Sequence, residues 1–312
     1  MRINNNIPAL NTHRMLTMNT NGLQKTLEKL SSGKRINRAA DDAAGLAISQ
    51  KMDAQIRGLR QASRNGLDGI SLIQTAEGAL NEVHAMLQRM RELSVQGANG
   101  IYDEEDLVAI ANELKELTEQ IDKIGRDTTF NGIYLLKGEL IPGVSGVGEA
   151  SGSAPIKDLR LHIGANEGEF IEIDMREINV TVGTGSGQLN LIDGNSIIEL
   201  DKNDSGVAIG FKIGENITPS GFNTAIGIYD GAVREVASHR SKLGAYQNRL
   251  EHTIKNLDNT SENLTAAKSR IEDTDMAIEM SEFVKLSILQ QAGTAMLSQA
   301  NQLPQSVLQL LQ

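Results

Sequence analysis

The chain has 312 residues, of which 39% are hydrophobic but only 3% aromatic, and it contains neither Trp nor Cys. Ala, Leu and Ile supply the apolar content without the rings that fill a large globular core, so an elongated molecule of long helices packed side by side is predicted. A formal net charge of -10 with no extended basic block argues against nucleic acid or an anionic membrane surface as partner, and the missing thiols exclude disulfides, thiolate catalysis and cysteine metal sites.

The opening MRINNNIPALNTHR lacks the continuous apolar core of a secretory signal, and no run of about 18 apolar residues spans a membrane. Ile3, Ile7, Leu10, Leu16, Leu23, Leu27 and Leu30 fall mostly on helical or heptad spacings, which predicts a short helix, weak near Asn19 to Gly22. Ser31, Ser32 and Gly33 break the period, a polar, basic hinge follows, and Asp41 and Asp42 stand where the next helix needs a cap. From Met52 a long stripe runs through Ile56, Leu59, Leu67, Ile70, Ile73, Ala76, Leu80, Val83, Leu87, Met90 and Leu93, near the coiled-coil period, with Ser63 its one interruption. That helix reaches about Ala98, roughly 80 Å at ~1.5 Å per residue, and Gly97 and Gly100 end it.

A second helix starts near Asp103, with a seam of Leu107, Ile110, Leu114, Leu117, Ile121 and Ile124. Its acidic start, Asp103 to Asp106, reads as helix surface compensating the dipole rather than as a metal site. Pro142, Gly143, Gly146, Gly148, Gly152 and Pro155 then mark a flexible connection. LRLHIG and EFIEIDM, separated by ANEG, read as a β-hairpin with Leu159, Leu161 and Ile163 on one face and Phe170, Ile171 and Ile173 supplying the partner strand.

Residues 180–223 turn to Gly, Asn, Asp and Thr with short β-branched runs, which predicts small strands or a loop. Helical periodicity resumes near Thr224 and continues almost to the end, apart from a break near Ser269 to Thr274. Phe283, Leu286, Leu289, Ala292, Met296, Ala300, Leu303, Val307 and Leu310 form a stripe on a segment with no charged side chain after Leu286. A lone helix of that kind frays, so this one needs the N-terminal helix and further apolar surface to stay ordered.

DKNDSGVAIGFK begins like a calcium loop but carries Lys212 where a bidentate Glu belongs, and GTGSG at 183–187 is followed by no phosphate-binding helix. His13, His84, His162, His239 and His252 form no metal or catalytic constellation, so neither an enzyme nor a cofactor is expected.

The hinge segment LSSGKRINRAADDAAGLAIS closely resembles the N-terminal region of bacterial flagellins. RNGLDGISLIQTAEGALNEVHAMLQRMRELSVQGANG, TTFNGIYLL and LHIGANEGEFIEIDM are similar to the same family, as are RSKLGAYQNRLEHTIKNLDNTSENLTAAKSRIEDTDMAIEMSEF and ILQQAGTAMLSQANQLPQSVLQLL. These stretches cover both ends of the chain in the family's order, while 180–223 departs from it and is short beside flagellins with large outer domains.

The resemblance implies a mainly α fold with long antiparallel coiled-coil helices from both termini, a small β-hairpin region and a short variable insert. Residues 1–40 with 275–312 are expected to form the inner helical layer of a tubular filament, 41–179 with 224–274 the surrounding rod, and 180–223 the outer surface. Polymer contacts are expected at Ile3, Ile7, Leu10, Leu27, Leu30, Phe283, Leu286, Leu289, Met296, Leu303, Val307 and Leu310, with inter-subunit hinge contacts at Arg35, Asn37, Arg38, Asp41 and Asp42. The family also implies an extracellular filament subunit exported without a cleaved signal peptide. The implied partners are copies of itself, an export chaperone on the C-terminal helix, a filament cap protein and hook-filament junction proteins. In many flagellins vertebrate Toll-like receptor 5 reads the segment matching LQRMRELSVQ, which here places Arg89, Leu93 and Glu113 at a receptor or axial contact. The competing expectations are a hook-filament junction protein, a rare enzyme-bearing flagellin and a cytosolic coiled-coil scaffold.

Overall fold

Gly33 ends the first helix in the left-handed region, φ 72, where a side chain would be strained, and its N–H closes on the Lys29 carbonyl. In the computed structural model of the chain, α1 spans Ile7–Ser32, α2 Ala43–Gly97, α3 Glu104–Asp127, α4 Pro219–Glu272 and α5 Met276–Leu310. Between α3 and α4 lie β1 (Thr129–Phe130), β2 (Ile133–Tyr134), β3 (Leu159–His162), β4 (Phe170–Ile173), β5 (Ile198–Lys202) and β6 (Ala208–Ile213). The residues described are 6–137, 159–174, 178–182, 189, 191, 197–202, 208–214 and 217–310, with side chains 200–202, 208–210 and 303–310 excluded. The Gly- and Pro-rich connection at 142–155, GTGSG and the middle of the calcium-like loop therefore lie outside them, as does Ile3.

The chain divides into two compact units, one comprising Met1–Arg57 with Asn259–Gln312 and the other Gly58–Asp258. In the second unit each helix buries a heptad row. On α2 the row is Ala62, Gly66, Gly69, Ile73, Ala76, Leu80, Val83, Leu87, Met90, Ser94 and Gly97, alternating steps of four and three. The expected stripe holds at Ile56 and Leu59, which are buried, and again from Ile73, but slips between them: Leu67 points to solvent, and Ser63 sits beside the seam, its hydroxyl donating to Asp258 at 3.1 Å. Small residues replace large ones because partners approach closely there; a Cβ on Gly66 would stand 2.9 Å from Ile254 Cγ1. At the other end a Cβ on Gly97 would meet the buried Phe222 ring at 2.6 Å.

On α3 the buried row is Leu107, Ala111, Leu114, Thr118, Ile121 and Gly125, close to expectation, and Asp103 caps the acidic first turn. On α4 it is Phe222, Ala225, Tyr229, Ala232, Val236, His239, Leu243 and Leu250. The connecting strands are short antiparallel pairs. Asn131 and Gly132, at φ 50 and 80, make the two-residue turn between β1 and β2. In β3 and β4, Leu159 pairs with Ile173 and Leu161 with Ile171, facing inward. Phe170 opens the partner strand as expected, and alternation turns it outward at 40% exposed, where the Arg160 guanidinium lies over its ring. Residues 198–202 and 208–213 carry expected small strands, the antiparallel pair β5 and β6.

Candidate assembly surface

In the first unit α1 and α5 run antiparallel. Leu16 lies against Gly293, Leu286 against Gly22, and Lys29 pairs with Glu279 at 3.5 Å. The covered positions are Ala9, Thr12, Leu16, Asn19, Leu23, Thr26 and Leu30 on α1, and Glu279, Phe283, Leu286, Gln290, Gly293, Leu297 and Ala300 on α5. Both rows step by threes and fours, the heptad rhythm of a coiled coil. Asn19 and Gly22, where the helix was expected to weaken, are seam residues in an unbroken helix.

Asn6 fastens one end. Its Oδ1 accepts the Ala9 N–H at 3.2 Å and caps α1, while its Nδ2 donates to the Ala300 carbonyl at 2.8 Å. Ala300 needs that donor, because the helical partner four residues on is Pro304, which has no N–H.

The seam mixes the large apolar Leu16, Leu23, Leu30, Phe283, Leu286 and Leu297 with small and polar residues, and a further set of large apolar side chains faces out. Of the expected polymer contacts, Leu30, Phe283 and Leu286 are partly covered within the pair, whereas Ile7, Leu10, Leu27, Leu289 and Met296 are exposed, up to 66% at Leu10. Met15, Met18, Met276, Ile278, Met280, Val284 and Ile288 join them on the outside. Met276, Met280, Val284 and Ile288 follow one another at intervals of four and make a continuous ridge on α5. The side chains of Leu303, Val307 and Leu310 lie outside the described residues.

The hinge is stitched to the end of α4. Arg35 and Ile36 N–H groups donate to the Glu272 carbonyl at 2.7 and 3.4 Å, Thr274 N–H to the Gly33 carbonyl at 3.0 Å, and the Arg35 guanidinium to the Ile271 carbonyl at 2.7 Å. The Glu272 carboxylate, almost buried, takes Lys34 at 2.5 Å and Lys268 at 3.7 Å. Lys268 also holds Asp53 at 2.6 Å, which keeps the Asp53 carboxyl below its usual range. Asn37 and Arg38 both donate to Glu28, at 2.7 and 2.8 Å. The two aspartates differ. Asp42 caps α2 by accepting the Gly45 N–H at 2.9 Å, whereas Asp41 folds back onto the N–H groups of Asn37 and Arg38 and caps the loop, which lowers its pKa.

On the second unit the Arg89 guanidinium donates to Glu113 Oε1 at 2.9 and 3.0 Å, and both residues are exposed. Leu93, expected beside them as a contact, is a core residue at 2% exposed. Residues 178–182 cross α3 at Gly125, where a Cβ would come within 3.1 Å of the Thr181 nitrogen. Val182 N–H donates to the largely buried Asp122, at 3.1 Å, and Arg126 pairs with the other oxygen at 2.8 Å; burial raises the Asp122 pKa. Among the described residues no group of His, Asp and Glu could hold a metal ion, and no helix is long and apolar enough to cross a membrane.

Residues 3–140 match the family of the bacterial flagellin N-terminal helical region, and residues 226–311 that of the bacterial flagellin C-terminal helical region. The chain belongs to the bacterial flagellin family. It is 51% identical to a flagellin of Bacillus subtilis and 49% identical to a flagellin of Halalkalibacterium halodurans, each alignment covering 100% of both chains. A solved chain from Vibrio parahaemolyticus, described as a candidate flagellar hook-associated protein, shares the fold at 17% identity and a TM-score of 0.53, over 75% of this chain and 100% of that one.

As a flagellin-family chain it is a structural subunit of the flagellar filament, the propeller of swimming motility, and the full-length identities favour that over the hook-junction alternative. Asn6, Glu272, Asp53 and Lys268 were not legible as interacting residues from the sequence. Only Pro304 carried a signal, a mid-helix proline that demands an outside donor.

Proposed function

We propose that this chain polymerises by burying the outer faces of α1 and α5 against neighbouring copies. The observation that carries this reading is that the pair covers one row of residues on each helix and leaves a second set of large apolar side chains, Ile7, Leu10, Leu27, Ile288, Leu289 and Met296 among them, exposed outside. Large apolar side chains left exposed together on one surface mark a place that another chain covers. Residues 1–40 with 275–312 then form the inner helical layer, 41–179 with 224–274 the rod, and 180–223 the outer surface. Ile3, Ile7, Leu10, Leu27, Leu289, Met296, Leu303, Val307 and Leu310 make contacts between copies. Leu30, Phe283 and Leu286 hold the pair that presents them. Arg35, Asn37, Arg38, Asp41 and Asp42 shape the hinge, and the exposed parts of Arg35 and Arg38 reach the next subunit.

The chain is structural rather than catalytic and works outside the cell, exported without a cleaved signal peptide. A chaperone shields α5 before export, a cap protein governs folding at the tip, and junction proteins join the filament base to the hook. The Arg89 and Glu113 pair supports an axial contact that Toll-like receptor 5 also reads, with Leu93 acting through the packing beneath. Replacing Arg89, Leu93 and Glu113 with Ala or Asp is expected to abolish receptor signalling, and full signalling would refute that assignment.

The test of assembly is direct. Ile288→Gln with Leu289→Gln is expected to leave helical content unchanged by circular dichroism and to abolish fibres in electron microscopy of concentrated protein. Normal fibres from that variant sink the reading.

A further inference from the structure

Sulfur is distributed unevenly over the exposed surface. Met15, Met18, Met276, Met280 and Met296, all on α1 or α5, are 47–62% exposed, while among the other described methionines Met52 and Met86 are half covered and Met90 is fully buried. These five lie on the outward faces of the helical pair, interleaved with Ile278, Val284, Ile288 and Leu289, where no charged group follows Lys285 on α5. A thioether suits such a face because it is apolar, polarisable and adapts to a neighbour's shape. It is also the side chain there that a mild oxidant converts to a polar one.

We propose that these five methionines are an oxidation site that blocks assembly of the free chain, a reading that rests on the assembly function above. Peroxide is the oxidant. The sulfur gives two electrons to the O–O bond, which breaks; one oxygen becomes the sulfoxide and the other leaves as water. The sulfoxide oxygen is a strong acceptor that remains hydrated on the free pair and loses its water when a second copy covers it. Core packing is untouched, because Met90 and the heptad rows of the second unit are sealed. Oxidation therefore leaves the subunit folded but unable to join. Once packed in a filament, the same sulfurs are shielded.

The experiment uses the full chain and hydrogen peroxide. Brief treatment of dissociated protein is expected to add one oxygen at each of the five and none at Met90 by peptide mass spectrometry. The concentration needed for fibre growth should rise at least tenfold, and methionine sulfoxide reductases should restore it. Preassembled fibres are expected to show at least fivefold slower oxidation at the same positions. A variant with Met→Leu at all five, conservative in volume on an exposed face, should assemble normally and ignore peroxide. Oxidised protein that assembles at the untreated concentration overturns the proposal while leaving the assembly reading intact, as does a Met→Leu variant still inhibited by peroxide. Untreated chain that forms no fibres removes the assembly reading and this proposal with it.

Discussion

The core of the second unit and the α1–α5 pair use the same heptad rhythm but cover their apolar side chains to very different degrees. In the former the rows carry Ile73, Leu80, Leu87, Leu114, Ile121, Phe222 and Tyr229, each sealed from solvent. In the latter the rows mix Leu16, Leu23, Leu30, Phe283, Leu286 and Leu297 with Thr12, Asn19, Thr26, Gln290 and Gly293, nearly all only partly covered, and further large apolar side chains are left outside. A heptad defines which residues meet, not which are apolar. One region is closed within a single chain, and the other leaves a large apolar surface open in it.

The contrast is sharpest under truncation. Leu114→Ala is expected to cost about 2–5 kcal/mol in urea unfolding of the free chain, since Leu114 has no exposed surface to lose and leaves a cavity. Ile288→Ala, removing as large a side chain from the outer ridge, is expected to change the free chain's stability by under about 0.5 kcal/mol. Equal losses at the two positions would erase the distinction.

Gly97→Ala comes next, at about 1–3 kcal/mol, because the added methyl meets three atoms of a ring that is itself sealed. Gly78, with nothing near its Cβ position, serves as the control, and Gly78→Ala should stabilise by about 0.4–1 kcal/mol. Thermal unfolding followed at 222 nm by circular dichroism separates them.

A double-mutant cycle probes the fastening of the pair. Asn6→Ala removes both the α1 cap and the donor to the Ala300 carbonyl. In a Pro304→Ala background that carbonyl regains a helical N–H, so the cost of Asn6→Ala should shrink by about 0.5–1.5 kcal/mol. Additive losses would show that the Asn6 bond to Ala300 is incidental.

The smallest effect concerns pH. Asp122 titrates above its ordinary 3.8 in the folded chain because burial disfavours its charge. Its contribution is therefore fully present below the unfolded pKa and is lost as pH rises through the folded one. Asp122→Asn keeps an acceptor for Val182 N–H and should flatten that decline, by under about 1 kcal/mol given the exposed Arg126 partner. An unchanged pH profile of unfolding would remove Asp122 from the account.

Helix ends were the most legible part of the fold, because Gly33, Asp42, Asp103 and the 273–275 break announce themselves by backbone chemistry. Seams were legible only where large side chains carry them, as along Leu80 to Met90 and on α3. At Gly66 and Gly69 the packing surface is backbone, and on α1 Ala9, Thr12, Asn19 and Thr26 share the seam with Leu16, Leu23 and Leu30, so a search for apolar residues found the leucines but slid onto Leu67 and onto the outer face at Ile7 and Leu10. Ile7 and Leu10 were thus read as one stripe with Leu16, Leu23 and Leu30, whereas the pair covers the latter three and leaves the first two outside. Asp41 and Leu93 show the same limit in side-chain direction: position in the sequence did not say that one turns back into its loop and the other into the core.

The stitch between the hinge and the end of α4 has a mechanical meaning. Tension entering along α1 arrives at Gly33, and tension along α5 arrives at Thr274; the Thr274 N–H bond to the Gly33 carbonyl ties those two points together. A pull on either helix is shared across that bond, the Arg35 bonds to Ile271 and Glu272, and the Lys34 ion pair before it loads the backbone of α2 or α4. The two breaks between helices, far apart in sequence, are thus held by each other rather than by the helices they interrupt.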